Sequence, residues 1–182
     1  MERPTLFLTI GLPGTGKTTA ARLIEAQNGA LRLTKDEWMK ALFGLENPAS
    51  ASDVIEGRLI ALGMRALELG TNVVLDFGLW SRDERSALRQ AAADVGASVV
   101  MCYFELTPDE QRKRLDQRLA QAHHATWPMS DEQLAESAAK FEIPTAAELD
   151  GSESVGEPPD GFANWGEWTR DRWPPSVRRL CD

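Results

Sequence analysis

Gly11-Leu12-Pro13-Gly14-Thr15-Gly16-Lys17-Thr18 fits the pattern G-x-x-x-x-G-K-[ST] at every required position. An apolar run, Thr5–Ile10, precedes it, and a helical pattern opens at Lys17. Glycines let such a loop turn its backbone N–H groups toward a phosphate, and the positive end of the following helix reinforces them. Lys17 has the reach to meet β- and γ-phosphates as a point charge. The Thr18 hydroxyl suits Mg²⁺, and Thr19 extends the phosphate-binding turn. This chemistry is the binding of a nucleoside triphosphate.

Other residues must decide what happens to that nucleotide. No NKxD follows a later strand, which removes the base-reading signature of a GTPase. The run Val73-Val74-Leu75 ends in Asp76-Phe77, without the glutamate a motor ATPase uses to activate water. A kinase needs an acceptor-positioning carboxylate, an acid on the metal side and arginines on a closing lid. Asp36, just past the second strand, is placed to take a proton from an acceptor hydroxyl. Glu37 is its rival, but a capping box with Thr34 would tie it to the backbone. Asp76, at the end of the third strand, lies where a metal-side acid belongs. Arg114 and Arg118, at i and i+4, share one helical face and could clamp a triphosphate. Arg82 and Arg85 either bind an acidic substrate or decorate an exposed helix. Trp38 and Trp80 wall an acceptor pocket or fill the core. His123 and His124 are adjacent and share no helical face, so they do not form a metal pair.

Strands and helices must alternate to bring these residues together. Apolar runs at Thr5–Ile10, Ala30–Leu33, Asn72–Phe77 and Ala97–Phe104 alternate with helical patterns, which predicts a parallel sheet covered on both faces. Helix starts are marked by Thr34 with Glu37, Ser81 with Glu84, and Thr107-Pro108 with Glu110. Gly70 and Gly96 mark helix ends. The pattern predicts a three-layer α/β/α domain over residues 1–150, with a lid at about 107–130 and a Pro/Trp-rich tail over 151–182. The tail's composition fits either a packed strap or a mobile segment.

At 182 residues and a net charge of −8, the chain has the size of one domain and an acidic balance that disfavours wrapping nucleic acid. Nine acids and a single base, Lys140, fall between residues 130 and 160, which locates the whole excess there. Such an apron favours a cationic or neutral acceptor. Two distant cysteines, Cys102 and Cys181, and the lack of a long apolar stretch lead us to expect a cytoplasmic protein with no membrane span. The spacing names no acceptor and no oligomeric state.

Taken in order, Gly11–Thr18, Thr34-Lys35-Asp36-Glu37, Val73-Val74-Leu75-Asp76, Ser81-Arg82-Asp83-Glu84-Arg85 and Arg114-Leu115-Asp116-Gln117-Arg118 resemble the P-loop kinases related to zeta toxins, chloramphenicol phosphotransferases and polynucleotide kinases. The later stretch Met129–Leu134 with Phe141–Pro144 and Glu148 is similar to a variant common among bacterial members. The resemblance implies a P-loop NTPase fold with strand order 2-3-1-4. It also implies ATP and Mg²⁺ as cofactors, transfer to a hydroxyl of a small molecule, Asp36 as base and Arg118 as lid arginine. Polynucleotide kinases carry an arginine three residues beyond the base, where this chain has Met39, and Asp-Thr-Asn where it has Asp76-Phe77-Gly78. Both departures count against a polynucleotide acceptor. A 5′-hydroxyl kinase and a non-catalytic ATP-binding or toxin-type module are the alternatives.

Overall fold

The structure is a computed structural model that describes residues 3–44, 46, 48–122 and 128–175; His123, His124 and Cys181 lie outside them. β1 (Thr5–Ile10) leads through the glycine loop into α1 (Lys17–Asn28), followed by β2 (Leu31–Leu33), α2 (Lys35–Phe43) and α3 (Ala49–Glu68). Next come β3 (Val73–Leu75), α4 (Arg82–Asp94), β4 (Ser98–Tyr103) and α5 (Pro108–Ala122). Three shorter helices close the described chain: α6 (Asp131–Lys140), α7 (Ala146–Asp150) and α8 (Trp165–Arg172).

All strand pairs are parallel and the order is β2-β3-β1-β4, as expected of a P-loop NTPase fold. The register sets Leu6 beside both Val73 and Val99, and Leu31 beside Val73. Alternation then sorts the side chains onto two faces. Leu6, Leu8, Ile10, Val73 and Leu75 meet Leu59, Ile60 and Leu67 of α3 and Ala87 and Leu88 of α4. Phe7 and Val74 meet Ala21 and Ile24 of α1 on the other face. Burial on both faces explains why these strands read as continuous apolar runs.

The carboxyl ends of the strands form the working edge. β3 is shorter than its apolar run, and the Asn72 side chain just before it accepts from Thr5 N at 2.8 Å. Beyond the strand, Asp76 N still donates to Leu33 O at 2.9 Å before the chain crosses toward α4. The capping boxes at Ser81/Glu84 and Ser130/Gln133 form, and Thr107 and Glu110 exchange the same pair of bonds. The box expected at Thr34/Glu37 does not form. Both side chains are drawn instead to Arg32 of β2.

The tail is a packed strap as far as residue 175. Trp165 and Trp173 are buried in the same core as the sheet, and Trp168 meets each edge-on at 5.7 Å. Trp173 rests on α3 at Gly57, where an added Cβ would lie 2.7 Å from the Trp173 Cβ; only glycine leaves the room. Arg172 donates to Glu84 of α4 at 2.6 and 2.9 Å and to Asp53 of α3 at 2.8 Å. No described helix is long and apolar enough to cross a membrane.

Candidate active site

The glycine loop wraps the amino end of α1 and is locked by its neighbours. Gly11 N donates to Gly78 O at 3.1 Å, which ties the loop to the chain leaving β3. Gly11 has φ 149°, and a Cβ there would fall 2.5 Å from Phe104 O, so this position requires glycine. Thr15 Oγ1 and Lys17 Nζ each donate to Leu12 O at 2.8 Å. Thr18 and Thr19 are exposed on the first turn of α1, clear of the core.

Asp76 sits at the centre of the site and is 5 % exposed. Its Oδ1 accepts from the Thr18 hydroxyl at 3.2 Å. Its Oδ2 accepts from Thr34 Oγ1 at 3.3 Å and from Arg32 at 3.4 Å. Burial pushes the Asp76 carboxyl above its ordinary range, while Thr18, Arg32, Lys17 and Thr34 each pull it back. Burial also lowers the Lys17 ammonium to about 8; Asp76 and Asp36 oppose that shift and Arg118 adds to it. Lys17 thus feels the charges of three other predicted residues, Asp36, Asp76 and Arg118. Asp36 is exposed in the first turn of α2, and among the described residues no hydrogen bond or ion pair engages its carboxylate.

Helix α5, the predicted lid, packs on the loop. Gln111 donates to Pro13 O at 2.7 Å, and Arg114 Nη1 comes within 3.6 Å of where a Gly16 Cβ would stand. Arg114 and Arg118 are both exposed. Asp116 pairs with Arg112 at 3.7 Å.

Several expectations change here. Arg85 neither binds substrate nor decorates a surface. It is fully buried, donates to Glu148 at 2.5 and 3.2 Å, and spends its remaining donors on the carbonyls of Leu79, Trp80 and Glu142. Arg82, half exposed, pairs with Glu153, and its backbone N–H donates to Glu142 Oε2 at 2.5 Å. The acids of the supposed apron are thus partly structural: Glu148 is buried, and Glu142 and Glu153 are engaged by Arg82. Trp38 is 48 % exposed beside Asp36 and is not core. Trp80 folds its indole back over Gly78 and is partly buried. Met39 is buried and holds α2 to the body.

Sequence reasoning missed Arg32, Thr34 as a partner of Asp76, and the strain at Leu79, whose φ of 50° shapes the loop after β3. Thr34 carried a signal, but its N-cap position pointed to the wrong partner.

One pH effect follows from Lys17. A phosphate bound beside Lys17 holds the ammonium charged, so its pKa rises from about 8 on binding. Affinity for a phosphate-bearing nucleotide should then weaken as pH rises through about 8, by roughly fivefold from pH 8 to 9 and nearly tenfold over the next unit. Calorimetry at pH 8 in buffers of different ionisation enthalpy should register uptake of about half a proton per nucleotide.

The family described as AAA domain (AAA_33) matches residues 6–144. No curated protein matches the sequence. A chain in the structure of the Pnkp1/Rnl/Hen1 RNA repair complex superposes with a TM-score of 0.62 at 25% identity, covering 80% of this chain and 50% of that one. This chain therefore spans half the length of that relative. Chaetomium thermophilum Kti12 in complex with ADP-AlF3 gives a TM-score of 0.63 at 18% identity over 92% of this chain and 95% of that one. A gluconokinase from Sinorhizobium meliloti 1021 gives 0.58 at 16% over 95% and 91%.

Proposed function

The chain belongs to the AAA_33 family of AAA domains, and from that premise we propose that it is an ATP-dependent kinase that phosphorylates a hydroxyl of a small molecule. The observation that supports this reading is the buried Asp76 at the end of β3, with Oδ1 on the Thr18 hydroxyl of the glycine loop, beside a Lys17 ammonium that feels the charges of Asp36 and Arg118. The likeness to a gluconokinase and to Kti12 holding ADP-AlF3 supports it.

Mg²⁺ fits the donor set. The Thr18 hydroxyl and the Asp76 carboxylate are hard oxygen donors 3.2 Å apart. Among the described residues, no cluster of three or more His, Cys, Asp or Glu could hold an ion unaided. That is the pattern for an ion shared with nucleotide phosphates, which when bound neutralises their charge. Thr18 would hold it directly and Asp76 from the sheet side.

The rest of the chemistry belongs to the chain's own groups. The backbone of Gly14–Thr18 cradles the β-phosphate, and Lys17 leaves Leu12 O for the γ-phosphate. The Asp36 carboxylate takes the acceptor's hydroxyl proton as its oxygen bonds to the γ-phosphorus. The bond from phosphorus to the β–γ bridging oxygen breaks and ADP leaves. Arg114 and Arg118 close from α5 on the charge that spreads over the transferring group.

The pairing of the cations on β2, α2 and α4 with acids supports an acceptor without a phosphate of its own. Arg32 is held by Glu25 and Glu37, Lys35 by Glu56, Arg82 by Glu153 and Arg85 by Glu148. The likeness to a chain of an RNA repair complex favours a second reading, a 5′-hydroxyl polynucleotide kinase. Met39, buried where that reading wants an arginine, speaks against it. Labelled-ATP transfer to 5′-hydroxyl oligonucleotides, run beside a metabolite extract, separates the two.

The base assignment has its own test. Asp36→Asn should lower kcat by about 10²–10⁴ and leave nucleotide affinity within about threefold. Transfer at the wild-type rate by this variant would remove Asp36 from the mechanism.

A further inference from the structure

The two oxygens of Asp76 are divided between two sets of partners. Oδ1 faces the Thr18 hydroxyl, whereas Oδ2 is turned away to Thr34 and Arg32 on the strand-end side. Arg32 is itself fully committed. Its Nε donates to Glu25 at 3.2 Å, and its Nη2 donates to both oxygens of Glu37 at 2.8 and 3.0 Å. Its Nη1 donates to Thr34 Oγ1 as well as to Asp76. Glu37 adjoins Asp36 on the first turn of α2, so one guanidinium connects that turn to the acid at the end of β3.

Thr34 makes this connection at a local cost. It stands at the N-cap of α2 with extended backbone, yet its hydroxyl bonds no backbone N–H of the helix. A threonine cap typically stabilises a helix by about 1 kcal/mol. The hydroxyl instead accepts from Arg32 and donates to Asp76. A local rule broken where a side chain serves a buried acid marks a functional site rather than a defect.

We propose that Arg32 and Thr34 are positioning residues that hold Oδ2 of Asp76, keeping Oδ1 beside the Thr18 hydroxyl as a partner for the nucleotide-bound Mg²⁺, and that Glu37 ties the Asp36-bearing turn of α2 to the same clamp. The inference rests on the kinase reading above. Without the clamp the carboxylate rotates, and the carboxylate–hydroxyl pair presented to the ion is lost, while the glycine loop and Lys17 are unaffected. Outer-sphere partners of this kind typically change metal affinity by 10–100-fold.

The test needs no acceptor. Binding of a fluorescent ADP analogue is followed against Mg²⁺ concentration for wild type, Thr34→Val, Thr34→Ser and Arg32→Gln, with a thermal melt of each. Thr34→Val and Arg32→Gln should raise the Mg²⁺ concentration at half-effect about tenfold, and Thr34→Ser should restore it. Nucleotide affinity without Mg²⁺ should stay within about twofold in all four. If Thr34 is simply a helix cap, Thr34→Val lowers the melting temperature and leaves the Mg²⁺ midpoint in place, which overturns the inference. Should Arg32→Gln fail to fold, Thr34→Val alone decides it. A wild type whose nucleotide binding ignores Mg²⁺ overturns the kinase reading first, and that outcome is distinct from a Mg²⁺-dependent wild type with unchanged variants.

Discussion

Lys17→Ala should lower ATP-dependent turnover by at least about 10³-fold and weaken nucleotide binding by roughly one to two orders of magnitude. Without the ammonium, nothing in the loop follows charge onto the γ-phosphate as it leaves. The same substitution should act in the opposite direction on stability. In the nucleotide-free protein, burial disfavours the Lys17 ammonium, so the folded state binds this proton less readily than the unfolded chain does. Stability from this group is therefore missing below about pH 8 and recovered as pH rises from about 8 toward 10.5, the ordinary lysine value. Lys17→Ala removes that penalty, so its melting temperature near pH 7 should rise by about 2–4 °C for each kcal/mol relieved. Loss of activity with a higher melting temperature would identify a residue kept for function against stability. Retained turnover would take the glycine loop out of the reaction.

Glu148→Ala should destabilise the protein by about 3–5 kcal/mol, because it leaves the fully buried Arg85 guanidinium without its counter-charge. For a chain of this size that is a fall of roughly 6–20 °C in melting temperature. The double variant Arg85→Met, Glu148→Leu should recover most of the loss, since apolar side chains of similar volume commonly replace a buried pair without penalty. Denaturant unfolding of both proteins measures the difference. A single-variant loss below about 1 kcal/mol would mean that Arg85 reaches water in solution. The pair also fixes geometry: Arg85 donates to Leu79 O and Trp80 O on one side and to Glu142 O on the other. It thereby pins the strained loop after β3 to the segment that follows α6.

These cases show why part of the molecule could be read from its sequence and part could not. The glycine loop, the apolar strands and the Ser81/Glu84 box are set by neighbours within a few residues, so spacing reveals them. The strand order came with the resemblance. Arg85 could not be read, because its partner lies 63 residues away and nothing in Arg82–Arg85 distinguishes a buried guanidinium from a surface one. Thr34 and Glu37 matched a local rule and broke it, because Arg32 and Asp76 make stronger charged partners than a backbone amide. The acids between 130 and 160 read as one apron by charge alone, whereas Glu142, Glu148 and Glu153 hold Arg82 and Arg85.

The seat of Trp173 on Gly57 bears on how the protein comes into being on the ribosome. The groove on α3 is made early, but the indole that fills it and the Arg172 guanidinium that bridges Asp53 to Glu84 are synthesised more than a hundred residues later. At ordinary elongation rates that interval is on the order of ten seconds. Throughout it the nascent sheet can assemble around β1, β3 and α1 while one flank of α3 stays uncovered.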